Sequence, residues 1–345
     1  MVVAFSAAVL RPGLFALVAV AIAAGPIRAQ GTDPLAVSQI DYRLVEGPEG
    51  SDTIVLIHGL GSTQHTFKRV VAELSRKYTV LVYDQRGHGR TAARGDDYST
   101  EVLARDLKVL HDHLGLGVVH LLGHSLGART AVRYAAMFPD DVQSLIVEDM
   151  ELRPWTYSAK ERKGIARAGE RLRDHPQIFS SKEEAARSLA PLMLGKPAEQ
   201  LARARSLVDR KTDQLPDGRV RLLYSPYANH RYLYQSRGED LGPALAAIPV
   251  PVLFISADEK KPIITEEGMA HLRQHRPGAR IVRIRDSGHA IHRTHQQEFV
   301  AVVDGFVSEN ARARTPRRGA ARHERSPSAR ARALRLPRRQ ARRGR

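Results

Sequence analysis

Val118-Val119-His120-Leu121-Leu122-Gly123-His124-Ser125-Leu126-Gly127 is an apolar run that stops abruptly in Gly-His-Ser-Leu-Gly and passes straight into Ala128-Arg129-Thr130-Ala131-Val132. The pattern predicts a buried strand, a tight turn and a helix. Glycines at 123 and 127 remove side chains where the helix must leave the strand end at close quarters. A serine on such a turn stands at the carboxyl end of a strand with its hydroxyl exposed. Five residues of this kind are a weak signal by themselves, so the surrounding chain has to decide what they mean.

Upstream, Ile40–Val45 and Thr53–Ile57 read as strands, the second a continuous apolar run suited to a sheet covered on both faces. Phe67–Ser75 has helical spacing and Tyr78–Tyr83 is another strand. Ser99 is the expected cap for a helix through Leu103, Leu107 and Leu110 to Leu114, stopped by Gly115. Downstream, Val142–Val147 is a strand ending at Glu148-Asp149. From Met150 to about Ala247 the chain turns polar and Arg-rich, with helical segments broken by Pro154, Pro176, Pro191, Pro197 and Pro216, which suggests an inserted lid. Pro251–Asp258, Ala279–Ile284 and the helices Glu266–Leu272 and Gln297–Val307 complete the alternation. Strands alternating with helices predict an α/β fold built on a mainly parallel, doubly wound sheet, with the lid between the strand ending at Asp149 and the one starting near Val250.

The two ends of the chain read differently. Residues 1–29 contain the apolar run Leu14–Ala24 and a small-residue site at Ala29, as expected of a secretory signal, so export is the expectation. A membrane anchor is the rival, although that run is shorter than the ~20 residues a span requires. The net charge of +17 is concentrated in residues 311–345, where fourteen arginines and one glutamate stand, leaving +4 for the other 310 residues. That tail has too few large apolar residues to fold and is expected to be disordered. It can hold polyanions non-specifically, but no specific nucleic-acid partner is expected. Residues 30–310 then form one catalytic-sized domain, and the absence of cysteine points neither way on compartment.

Parallel α/β sheets hold ligands at the carboxyl ends of their strands. The residues expected there are His58-Gly59, Asp84, Ser125, Asp149, Asp258 and, after the last strand, His289. Over residues 35–308 the chain resembles the α/β-hydrolase family in four motifs that occur in the family's order. These are His58-Gly59-Leu60-Gly61-Ser62, Asp84-Gln85-Arg86-Gly87-His88-Gly89, Gly123-His124-Ser125-Leu126-Gly127 and Ser287-Gly288-His289-Ala290-Ile291-His292.

The resemblance implies Ser125 as nucleophile, His289 as base, and the backbone N–H groups of Leu60 and Leu126 as oxyanion donors. A serine hydroxyl needs a base within ~3 Å to take its proton, and a carboxylate to orient that base. The acid is open between two strand ends: Asp149, 24 positions after Ser125, is preferred, with Asp258 or Glu259 as the alternative. Serine at the sharp strand-to-helix elbow of Gly123–Gly127 speaks against the dehalogenase and epoxide-hydrolase branches. His58, His88, His124 and His292 fit motif positions that orient loops. Tyr224, Tyr227, Tyr232 and Tyr234 are expected either to line a pocket or to pack the lid. No His/Asp/Glu grouping has metal-ligand spacing, so no metal or other cofactor is expected. The implied function is a serine carboxylesterase acting on a small-molecule ester. The alternatives are C–C hydrolase, lactonase, amidase or perhydrolase chemistry, or a non-catalytic ligand-binding member.

Overall fold

The computed structural model describes residues 33–193, 196–258 and 263–311. The expected signal segment, the tail beyond Ala311 and Glu259 lie outside them. The strands are β1 (Tyr42–Val45), β2 (Thr53–Ile57), β3 (Thr79–Tyr83), β4 (Val119–His124) and β5 (Val142–Glu148). Within an insert follow β6 (Ile178–Phe179), β7 (Thr212–Gln214) and β8 (Val220–Leu222), and then β9 (Val252–Ala257) and β10 (Arg280–Ile284).

Seven of them form one sheet in the order β1-β3-β2-β4-β5-β9-β10, parallel throughout except where β1 meets β3. The continuous apolar runs are the central strands, and every residue of β4 and β9 is buried. One face is covered by helices Thr100–Leu114, Leu126–Met137, Gly242–Ala247 and Glu266–His275, the other by Lys68–Leu74 and Gln296–Glu309. Ser99 Oγ accepts from Val102 N and Gly115 adopts φ 59°, so the expected cap and stop both operate. The chain runs from β2 outward to β3 and then crosses to β4 on the other side of β2. A reversal of this kind opens a crevice at the strand ends. Here β2 feeds His58-Gly59-Leu60 and β4 feeds Ser125 into it.

The insert leaves after β5 and returns at β9. It is less purely helical than its sequence suggests, because β6, β8 and β7 pair as a small antiparallel sheet. Strands of two and three residues are too short to show alternation, which hid them. Pro197, expected to break a helix, instead opens one, Pro197–Arg210, where its missing N–H costs nothing. Phe179, Ala185, Leu189, Ala204, Val208 and Leu222 give the insert a small core of its own.

Candidate active site

Ser125 sits at the tip of β4 with φ 52° and ψ −120°, a conformation that a non-glycine residue adopts only when its surroundings enforce it. The enforcement is visible at the flanking glycines. A Cβ on Gly127 would collide with the carbonyl oxygens of Ile57 and His58, and one on Gly123 with Gly127 O and the backbone of Ala128. The helix therefore starts at Leu126, whose N–H belongs to the first turn and has no intrahelical acceptor. Among the described residues the N–H groups of Leu60 and Leu126 form no hydrogen bond. Both residues line, with Ser125, a cavity of about 20 Å³.

His289 follows β10 in a loop tied down by Ser287 Oγ, which donates to Ile284 O at 2.7 Å. Its Nδ1 donates to Asp149 Oδ2 at 2.7 Å, and the second oxygen of Asp149 accepts from Ala257 N at 3.0 Å. The Asp149 side chain is 1% exposed and the His289 ring 33%, so the acid is sheltered and the imidazole reaches the cleft. Asp258 lies apart: its carboxylate is 3.7 Å from Arg283 on the surface, while its N–H donates to Ser287 O. Of the two candidate acids, the structure pairs Asp149 with His289. The Ser125 hydroxyl makes no hydrogen bond among the described residues. Such bonds are often long until a substrate draws the groups together.

The family model described as alpha/beta hydrolase fold matches residues 52–296. The chain belongs to that family. It is 28% identical over 261 residues to a 2-(acetamidomethylene)succinate hydrolase of Mesorhizobium japonicum, covering 75% of this chain and 89% of that one. It is 28% identical over 266 residues to a putative carbamate hydrolase of Pseudomonas savastanoi pv. phaseolicola, covering 74% and 93%. Among solved structures, an E-2-(acetamidomethylene)succinate hydrolase superposes with a TM-score of 0.57 at 25% identity, over 77% of this chain and 94% of that one. A marine microorganism esterase superposes with a TM-score of 0.60 at 23% identity, over 78% and 99%.

In this α/β hydrolase the remaining motif histidines are buried supports. His58 Nδ1 donates to Gly59 O at 2.8 Å and its Nε2 accepts from Gln85 N at 3.0 Å. His88 does the same for the next turn, accepting from Gly61 N at 3.0 Å and donating to Arg86 O at 3.1 Å. Burial keeps both neutral, pushing His58 down to about 4 and His88 to about 3. A neutral imidazole is what these bonds need, because each ring must both donate and accept.

Behind the site, His124, Glu148 and His292 come together with ligand-type atoms all within 4.8 Å. The sequence showed no such grouping, since the three residues are distant along the chain. Their atoms are mostly engaged with one another and with neighbours. His292 donates to Glu148 from both N and Nδ1 and bonds Thr66 Oγ1 through Nε2, while His124 Nε2 donates to His289 O at 3.0 Å. Burial would raise the Glu148 carboxyl, but His292 and His124 outweigh it and hold it below its ordinary value. This set reads as a hydrogen-bonded brace under the His289 loop.

Two buried cations hold the framework, Arg86 from the second of the quoted motifs and Arg129, which the sequence did not single out. Arg86 forms a fork onto Asp106 at 2.7 and 2.8 Å, both side chains almost fully buried. Arg129, also buried, donates to the carbonyls of Glu151, Ser236 and Glu239, and so ties both ends of the insert to the helix after Ser125. The tyrosines divide. Tyr232 lines the cavity and donates to Arg86 O at 2.7 Å, Tyr227 packs on Tyr98, and Tyr234 packs on Tyr157.

Proposed function

We propose that this protein is a serine hydrolase that cleaves small carboxylic esters through an acyl-serine intermediate. The observation that carries the reading is the His289–Asp149 hydrogen bond beside a serine held on a strained elbow. Asp149 keeps the proton on His289 Nδ1, which leaves Nε2 to act as base. Ser125 Oγ attacks the ester carbonyl carbon as its proton passes to Nε2. The carbonyl oxygen becomes an oxyanion that the N–H groups of Leu60 and Leu126 receive, each such donor being worth about 3 kcal/mol. The intermediate collapses, the C–O bond breaks, and the alcohol leaves with the proton from His289. Water then gives a proton to His289, attacks the acyl-serine, and releases the acid with Ser125 restored.

The insert, anchored through Arg129 and leaning over Ser125 through Tyr232 and Leu233, serves as the lid. The relatives named for an acetamidomethylene succinate and for a carbamate favour a second reading, in which the same acyl-serine chemistry opens a C–N bond. Turnover of 4-nitrophenyl acetate against 4-nitroacetanilide separates the two. Ser125→Ala is expected to abolish both turnover and labelling by a fluorophosphonate. Full turnover in that variant refutes the assignment.

A further inference from the structure

The cavity beside Ser125 has one charged wall. Arg237, in the last turn of helix Pro226–Gly238, lines it together with Leu60, Ser125 and Leu126. Its guanidinium lies 5.2 Å from the centroid of the Trp155 ring, and the Arg237 backbone carbonyl accepts the backbone N–H of Trp155 at 2.6 Å. Of these two contacts, the one with the Trp155 ring steadies the guanidinium beside the cleft.

Arg237 is half-buried, and among the described residues no carboxylate stands within ion-pair reach of it. Several other arginines of the insert are paired, Arg153 with Glu151, Arg173 with Asp96, Arg205 with Glu183 and Arg219 with Asp217, and what sets Arg237 apart is that it lines the cavity beside Ser125. A cation partly withdrawn from water is costly without an opposite charge. A guanidinium offers two parallel N–H donors that match a carboxylate. Residues 150–247 carry eighteen Lys and Arg against twelve Asp and Glu, so the segment over the cleft favours the approach of anions. The cavity itself is small, about 20 Å³, and its other walls include Leu60, Leu126, Met150 and Leu233. So little space admits only a small group, and Arg237 is the one charged side chain among the walls.

We propose that Arg237 binds a carboxylate carried by the substrate, so that the preferred substrates are small anionic esters or amides. The catalytic form of this claim rests on the hydrolase reading of Ser125, and the test separates the two. Two matched pairs serve as probes: 4-nitrophenyl acetate with 3-carboxy-4-nitrophenyl acetate, and 4-nitrophenyl pentanoate with mono-4-nitrophenyl glutarate. At low ionic strength Arg237→Gln is expected to lower the anionic-to-neutral ratio of kcat/KM by about tenfold or more in at least one pair, the size of a hydrogen-bonded charge contact. Arg237→Lys, which keeps the charge without the fork, is expected to fall between. Fluorophosphonate labelling of Ser125 in both variants reports an intact site. Calorimetric binding of the same esters to Ser125→Ala gives a readout independent of turnover, with the anionic member expected to bind more tightly and Arg237→Gln to remove the difference. Ratios unmoved by Arg237→Gln in both pairs, or equal binding of both members to Ser125→Ala, overturn the inference. Absence of turnover and labelling in the natural protein overturns the hydrolase reading instead, and the binding comparison still decides the role of Arg237.

Discussion

Exchange of Asp149 for Asn tests the acid with little disturbance to the fold. Asn tolerates the φ of 44° at this position as Asp does, and its amide oxygen can keep the 3.0 Å bond from Ala257 N. The change falls on the other atom. Where Asp149 Oδ2 accepts from His289 Nδ1 at 2.7 Å, an amide NH₂ would donate instead. The imidazole must then carry its proton on Nε2, where it cannot take one from Ser125. Loss of the correct tautomer lowers kcat by about 10⁴ in enzymes that use this arrangement, equivalent to ~5–6 kcal/mol at 1.36 kcal/mol per factor of ten. KM is expected to change little, because Asp149 is buried behind His289. The assay is steady-state hydrolysis of 4-nitrophenyl acetate by Asp149→Asn and Asp258→Asn side by side, with Asp258→Asn expected to stay within about twofold, as suits an exposed carboxylate that faces Arg283 and not the base. The reasoning fails if Asp149→Asn keeps more than about a tenth of the natural kcat, or if Asp258→Asn falls as far.

The buried histidines make stability depend on pH in a defined direction. Their folded pKa values, about 4 for His58 and about 3 for His88, lie below the ordinary 6.5, so between these limits the unfolded chain binds more protons. Stability therefore falls as pH drops below 6.5, and His58 alone accounts for about 2 kcal/mol between pH 7 and pH 5. Urea unfolding at the two pH values checks this, and equal midpoints would refute it. Asp106→Asn leaves Arg86 buried without its counter-charge and is expected to lose about 3–5 kcal/mol of unfolding free energy. The same urea assay at pH 7 measures it, and a loss below about 1 kcal/mol would show the fork to be dispensable.

Much of the fold was legible because its central strands are continuous apolar runs, and because the elbow, the loop after β2 and the His289 loop each carry local signatures. What stayed hidden depends on relations between distant segments. Arg129 reads in sequence as one polar residue on a helix, and only the return of the insert brings the carbonyls of Glu151, Ser236 and Glu239 to it. The acid was ambiguous for a geometric reason. β5 and β9 are parallel neighbours, with Glu148 opposite Ile255, so Asp149 and Asp258 leave adjacent strand ends. The left-handed turn at Asp149 carries its side chain across to Ala257 and the His289 loop, and no spacing rule reveals that turn.

The same turn explains how two adjacent acids meet two histidines three positions apart. Glu148 joins His292 with both side chains wholly buried, whereas Asp149 joins a His289 that keeps a third of its surface exposed. A proton relay to a substrate needs a ring that reaches the cleft, so only the second pair can serve it. The first, linked to Thr66 and neighbouring the His124 that holds His289 O, can act only by fixing where that ring stands.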